Sequence, residues 1–209
     1  MRDKWYRWSR KGGITTAWVG SIPVFMLFFF FLGAFGLAWM THSNSQVAAD
    51  AGGIAATKKL EELISLDLDS QLEDRLKEGS FEENLPRDSA LRETLEEEVP
   101  LEEIPVEDKL NGLFEGDPYK ITHYLEPFFE HHREEIADTV RYYVEKNGGD
   151  DEGVIIFPVN GRVEVQARTP FHPPIFDEYI DEGYVDGKGY GPERIYLKLL
   201  PEKSFKIEY

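Results

Sequence analysis

The run Glu130-His131-His132-Arg133-Glu134-Glu135 holds the densest set of groups that could bind a metal, because His131 shares a helical face with Glu134 and Glu135. It lacks the HExxH spacing of a helical zinc site, and no third ligand stands nearby in sequence. His132 borders an apolar stripe and reads as a packing residue. The stretch from Asp181 to Gly189, DEGYVDGKG, mixes carboxylates with glycines, yet its oxygens do not follow the ligand spacing of an EF-hand, so calcium there stays an open alternative. The chain has no cysteine, which excludes disulfides, thiolate metal sites and a cysteine nucleophile. Nor does it contain a P-loop, a dinucleotide fingerprint or a G-x-S-x-G elbow. The reading is therefore non-enzymatic, with no catalytic residue, metal ligand or cofactor assigned.

These groups belong to a chain of 209 residues with a formal charge of −17. The charge is uneven: Arg2, Lys4, Arg7, Arg10 and Lys11 meet only Asp3 at the start, which leaves about −21 for everything after Lys11. So acidic a remainder repels phosphate backbones, and no nucleic-acid partner is expected. From Ile14 to Met40 nothing is more polar than Thr15, Thr16 and Ser21. Coiled as a helix this stretch is about 40 Å long, enough to cross a hydrocarbon core of about 30 Å with some tilt. The basic flank predicts a single-pass protein of the cell membrane with its N-terminus cytoplasmic and its C-terminal part extracytoplasmic. Trp5, Tyr6, Trp8 and Trp39 suit the two bilayer interfaces. Secretory signals carry a shorter apolar region, so the segment reads as a retained helix, although Val47-Ala48-Ala49 would offer a signal peptidase a site. Phe28 to Phe31 read as lipid-facing. Gly20, Gly33, Ala34 and Gly36 would admit another helix, without the four-residue spacing of the glycine dimer motif.

Beyond Met40 the helical pattern continues, with Val47, Ala51, Ile54, Ala55, Leu60, Leu63, Ile64, Leu66, Leu68, Leu72 and Leu76 recurring mostly at three and four. Gly52-Gly53 marks either a flexible point or a close contact, and Gly79 is a natural stop. Acidic sequence with prolines at 86, 100 and 105 follows, read as a spacer in which Asp88-Ser89 could start a short helix. Asp117-Pro118 then caps a helix whose apolar stripe runs from Ile121 to Val144, kinked or restarted at Pro127. Asn160-Gly161 between two apolar runs predicts a hairpin with Val159 opposite Arg162; Pro158 would make its strand an edge, with Val154 and Ile156 sharing a face with Val163, Val165 and Ala167. A second hairpin is expected from Arg194–Leu200 and Ser204–Tyr209, and the segment between Pro170 and Pro192 as a loop.

Two stretches carry a resemblance. Arg10-Lys11-Gly12 is followed eleven positions later by Pro23, and Ser45-Gln46-Val47-Ala48-Ala49-Asp50-Ala51-Gly52-Gly53-Ile54-Ala55-Ala56 is similar to the motif LQNAADAAALAGA. Both resemble the Tad (tight adherence) pilus-assembly family of TadE/TadG-like proteins, related to type IV pilins. The resemblance covers roughly residues 10 to 60 and rests on Pro23, Gln46, Ala48, Ala49, Asp50, Ala51, Ala55 and Ala56. It implies a pilin-like stem, with other pilus or pilin-like subunits as partners through the N-terminal helix. It also implies cleavage by a prepilin-type peptidase after Gly12 or Gly13. The family's pilins carry a glutamate five residues after the cut, where this chain has Ala17 or Trp18. That departure points to an accessory component, a minor pilin or pseudopilin, rather than a main subunit.

The expected class is thus α+β, a long N-terminal helix followed by a small headpiece of one kinked helix on three or four antiparallel strands. The expected divisions are a basic leader (1–13), a transmembrane helix (14–40), a helical extension (41–79), an acidic linker (80–116) and the headpiece (117–209). An alternative from another class is a membrane-tethered extracytoplasmic binding or sensor domain.

Overall fold

The structure, a computed structural model, describes residues 3–77, 90–97, 99–171 and 183–209, with side chains from Ala17 onward. The class is α+β, and the chain divides into two compact units: the first 41 residues belong to one, and residues 42–170 with 184–209 form the other. Helix α1 (Asp3–Lys77) supplies residues to both.

In the first unit α1 is long and apolar enough to cross a membrane, with a mean hydropathy of 2.2 over eighteen residues. Trp18, Phe25, Phe28, Phe29, Phe30, Phe31, Phe35 and Trp39 are exposed, and a side chain on Gly20, Gly33 or Gly36 would meet nothing within 4 Å. The hydroxyls turn back into the helix: Ser21 Oγ donates to the Trp18 carbonyl at 2.7 Å and Thr41 Oγ1 to that of Leu37 at 3.0 Å. Polar groups satisfied within the helix suit an apolar solvent. Pro23 lies inside the helix.

In the second unit α1 packs on a four-stranded antiparallel sheet of order β3-β2-β1-β4, formed by β1 (Gly153–Val159), β2 (Arg162–Phe171), β3 (Gly183–Tyr190) and β4 (Phe205–Glu208). Ser45, Ala48, Ala49, Gly52, Ala56, Leu60, Ile64, Leu68 and Leu72 form its buried face, spaced by three and four. Val47 and Ile54, expected in that face, are 53% and 55% exposed, and Leu66 is exposed too. Between Ser45 and Ala56 the smaller residues take the inner side, because there the helix backbone lies too close to β3 for branched side chains.

The hairpin forms as its turn predicts: Asn160 and Gly161 both have positive φ, and Val159 pairs with Arg162. The register then shifts by one residue between Val159 and Ile156, so Ile155 and Phe157, not Ile156 and Val154, share the buried face with Val163 and Val165. β1 is not an edge, since β4 pairs with it from Val154↔Glu208 to Phe157↔Phe205. The ladder stops before Pro158, whose missing N–H interrupts no bond; the Phe157–Pro158 peptide is cis. The second expected hairpin is absent: Tyr196–Leu199 is a 3-10 turn with Tyr196 and Leu197 both buried and Ile195 exposed, a pattern that alternation along a strand cannot produce. Phe205, Ile207 and Tyr209 point inward as expected.

The helix capped at Asp117, whose carboxylate accepts from the Tyr119 N–H at 2.9 Å, is two helices, α4 (Pro118–His131) and α5 (Arg133–Lys146). The break is at His132, not Pro127, which lies on the exposed side and is carried within α4. Phe129 closes the core edge-on against Phe157 and Phe205 at 5.3 and 5.5 Å.

Residues 90–116 do not behave as a spacer. They form α2 (Ala90–Glu96), a 3-10 turn (Leu101–Glu103) and α3 (Val106–Leu113), and Leu91, Ile104, Val106, Leu110 and Leu113 join the core. Gly112 is where α2 and α3 touch, since a Cβ there would stand 2.1 Å from Leu91 Cδ2. Gly79, Pro86 and Asp88-Ser89 lie outside the described residues.

One ion pair ties α1 to α5: Lys59 Nζ is 2.8 Å from Glu135 Oε1. The hydrogen bond from Lys59 holds the Glu135 carboxyl below its usual range, and the same bond raises Lys59 above 10.5. The carboxylate's contribution is complete above the unfolded Glu range and is lost as pH falls through the depressed folded value. That of the ammonium is complete below the unfolded Lys range and is lost as pH rises through the raised one. Unfolding free energy should therefore plateau between these limits, and Glu135→Gln should flatten the acid limb. The loss at neutral pH should be under about 1 kcal/mol, because half the Glu135 side chain is in water. Denaturant titrations across pH check both.

Candidate functional site

The motif residues converge on one seam, where α1 crosses β3. Gly187, Gly189 and Gly191 recur at every second residue and turn their missing side chains toward the helix. A Cβ on Gly187 would stand 2.3 Å from the Ser45 carbonyl oxygen, one on Gly189 2.1 Å from Ala49 C and Asp50 N, and one on Gly191 2.4 Å from the Gly53 oxygen. From the helix side, a Cβ on Gly52 would come within 2.8 Å of Val144 Cγ2 and one on Gly53 within 2.8 Å of Gly191 N. Gly52-Gly53 is therefore a close contact, not a hinge.

Polar groups lock the seam. Ser45 Oγ lies 2.8 Å from the Val185 carbonyl and 3.2 Å from that of Ala167, where β2 and β3 meet. Gln46 Nε2 donates to the Lys188 carbonyl at 2.5 Å and lies 3.4 Å from Asp50 Oδ1. Ala48, Ala49, Ala55 and Ala56 are buried, while Asp50 and Ala51 are half-buried beside them. Pro23 belongs to the exposed apolar part of α1; Gly12 and Gly13 lie in its helical start, where side-chain surroundings are not described.

The groups with metal-binding chemistry do not come together. His131 is exposed, and His132 packs on Phe128 at 4.6 Å and pairs with Glu135 at 3.3 Å. No group of three or more His, Cys, Asp or Glu among the described residues could hold a metal ion. Asp181 and Glu182 lie outside the described residues, and Gly183 to Gly189 are strand β3 rather than a calcium loop. Sequence reasoning missed β3 because Val185 is the one apolar side chain on its inner face, the other inner positions being Gly183, Gly187 and Gly189. Its one legible signal was period-two glycine opposite a small-residue helix.

On the outer face of the sheet an open trough of about 550 Å³ crosses all four strands. Arg168 forms one wall, 2.9 Å from Asp150, paired with Glu152 and stacked 4.5 Å from the Tyr184 ring centroid. Beside it Glu164 accepts from Gln166 Nε2 at 2.6 Å. Partial burial, then the hydrogen bond to Glu164, holds the Tyr190 phenol above its ordinary range.

No family model, no curated protein and no solved structure matches the chain.

Proposed function

We propose that the chain is a non-enzymatic, pilin-like accessory component, a minor pilin or pseudopilin, of a Tad-type pilus or related secretion apparatus. The observation that carries this reading is the division of labour along α1. Residues 17–40 are apolar with their side chains uncovered, while Gln46 to Ala56, the stretch that resembles the family motif, is the small-residue face on which the sheet closes. In this reading the uncovered part sits in the cell membrane, the basic start stays cytoplasmic, and the acidic domain lies outside. Other pilin-like subunits pack along the N-terminal helix.

The test is the intact mass of the chain isolated from membranes, read with its co-purifying proteins. Loss of the residues up to Gly12 or Gly13, together with capture of pilus components, is the expected result. A full-length chain that captures none would overturn it. That outcome would favour the tethered binding domain, which the apolar Ala17 and Trp18 and the open trough on the sheet both favour.

A further inference from the structure

The outer trough is used by neither the α1 seam nor the pilin-like reading, and its charges are arranged by strand. Lys188 stands on β3, Gln166 on β2, Val154 on β1 and Glu208 on β4, all of them lining the cavity. The register puts Val154 directly between Gln166 and Glu208, and the bond from the Gly191 N–H to the Val163 carbonyl at 2.9 Å, followed back along the antiparallel pair, brings Lys188 beside Gln166, so these residues form a row perpendicular to the strands. Its two ends are three strand spacings apart, about 14 Å. One end is cationic, the other anionic, and the middle is an amide and an apolar side chain.

The opposite wall does not share this polarity. In strand order it runs Asp186, Arg168, Glu152, alternating in sign, with Arg168 already held by Asp150 and Glu152. That wall sets one guanidinium, already engaged, against the carboxylates of Asp150, Glu152 and Asp186, so it offers no cation to a carboxylate ligand. The row ends, in contrast, are loosely held. Lys188 reaches Glu164 only at 3.8 Å and is 61% exposed, and Glu208 meets Lys206 at 3.5 Å and is 78% exposed. Gln166 spends one N–H on Glu164, which leaves its second N–H and its carbonyl oxygen for a ligand.

An occupant complementary to this row carries a carboxylate at one end, an ammonium about 14 Å away, and hydrogen-bonding groups between them. A peptide of about four extended residues with free termini has that length and those groups. The cavity's volume is in the range of small-ligand sites. We infer that the trough binds such a peptide across the strands, with its carboxylate on Lys188, its amino terminus on Glu208 and a central peptide group on Gln166.

The experiment titrates tetraalanine with free termini into the full chain in detergent micelles, followed by amide chemical shifts. N-acetyl tetraalanine and tetraalanine amide are run beside it. Saturable binding at millimolar peptide, with the shifts centred on Val154 and Gln166, is expected. Blocking either terminus should weaken it by about fivefold or more. Lys188→Gln should abolish the sensitivity to amidation and keep that to acetylation; Glu208→Gln should do the reverse. Both side chains are exposed, and unchanged thermal transitions will show that the variants fold. Absence of saturable binding, indifference to both blocking groups, or the same response from both variants would each overturn the inference.

Discussion

Gly189→Val is expected to lower the thermal midpoint of the unit formed by residues 42–170 and 184–209 by roughly 6–12 °C. Overpacking costs about 1–3 kcal/mol when neighbouring side chains can shift. Here the obstacle is backbone, with Ala49 C and Asp50 N both 2.1 Å from the position of the new Cβ. No rotamer change relieves that contact, so the top of the range applies. The helix must lift from β3, which breaks the Gln46 bond to Lys188 and parts Ser45 from the strand junction. Lys188→Val is the control, one residue away on the exposed side of the same strand. Circular dichroism melts of the full chain in micelles compare the two. Equal midpoints would mean that α1 does not lie on the glycine edge of β3.

That seam also explains which parts of the fold were legible. Patterns that depend on local chemistry survived contact with the structure: the uncharged run through Met40, the Asp117 cap, the Asn160-Gly161 turn, and the alternation of Phe205, Ile207 and Tyr209. Each is decided by a handful of adjacent residues. The failures all depend on what packs against a segment. β3 carries a loop-like sequence because a strand pressed on a helix backbone has glycine where a strand normally shows an apolar residue. On the helix that presses on it Ala55, Leu60, Leu63, Ile64, Leu68 and Leu72 are buried as the periodicity predicts, but at the seam Val47 and Ile54 outweigh Ala48 and Ala49 in any hydrophobic tally and are nonetheless exposed. Pro158 suggested an edge, yet it lies just beyond the end of the β4 ladder, a fact of register that the hairpin alone does not contain. The trough was invisible because its row comes from four strands whose order, β3-β2-β1-β4, is not the order of the chain.

The acidic stretch after residue 90 forms the expected short helix at Ala90–Glu96 but joins the core instead of serving as a spacer, and its Lys109 carries the second large effect. Lys109→Met should destabilise the unit by about 3–5 kcal/mol, more than the loss of its methylene contacts would explain. Lys109 is fully buried, and its ammonium lies 2.6 Å from Asp69 Oδ1 and 2.8 Å from Ser65 Oγ. The Asp69 side chain is only 17% exposed, so removing the lysine strands a carboxylate in a site with little water. Adding Asp69→Leu removes that stranded charge, and the double variant should recover most of the loss or exceed the parent. A net contribution of under about 1 kcal/mol from the single variant would show instead that the pair behaves like a surface contact.

The pair has a structural use if stability is not it. The apolar contacts of Leu91, Leu110 and Leu113 are non-directional, whereas Lys109 has polar partners at fixed positions on α1, Asp69 and Ser65. Our hypothesis is that it fixes the register of α3 on α1. If so, the double variant unfolds at higher denaturant but with a shallower transition and poorer amide dispersion around Leu110. A sharp, well-dispersed double variant would mean that apolar packing alone sets that register.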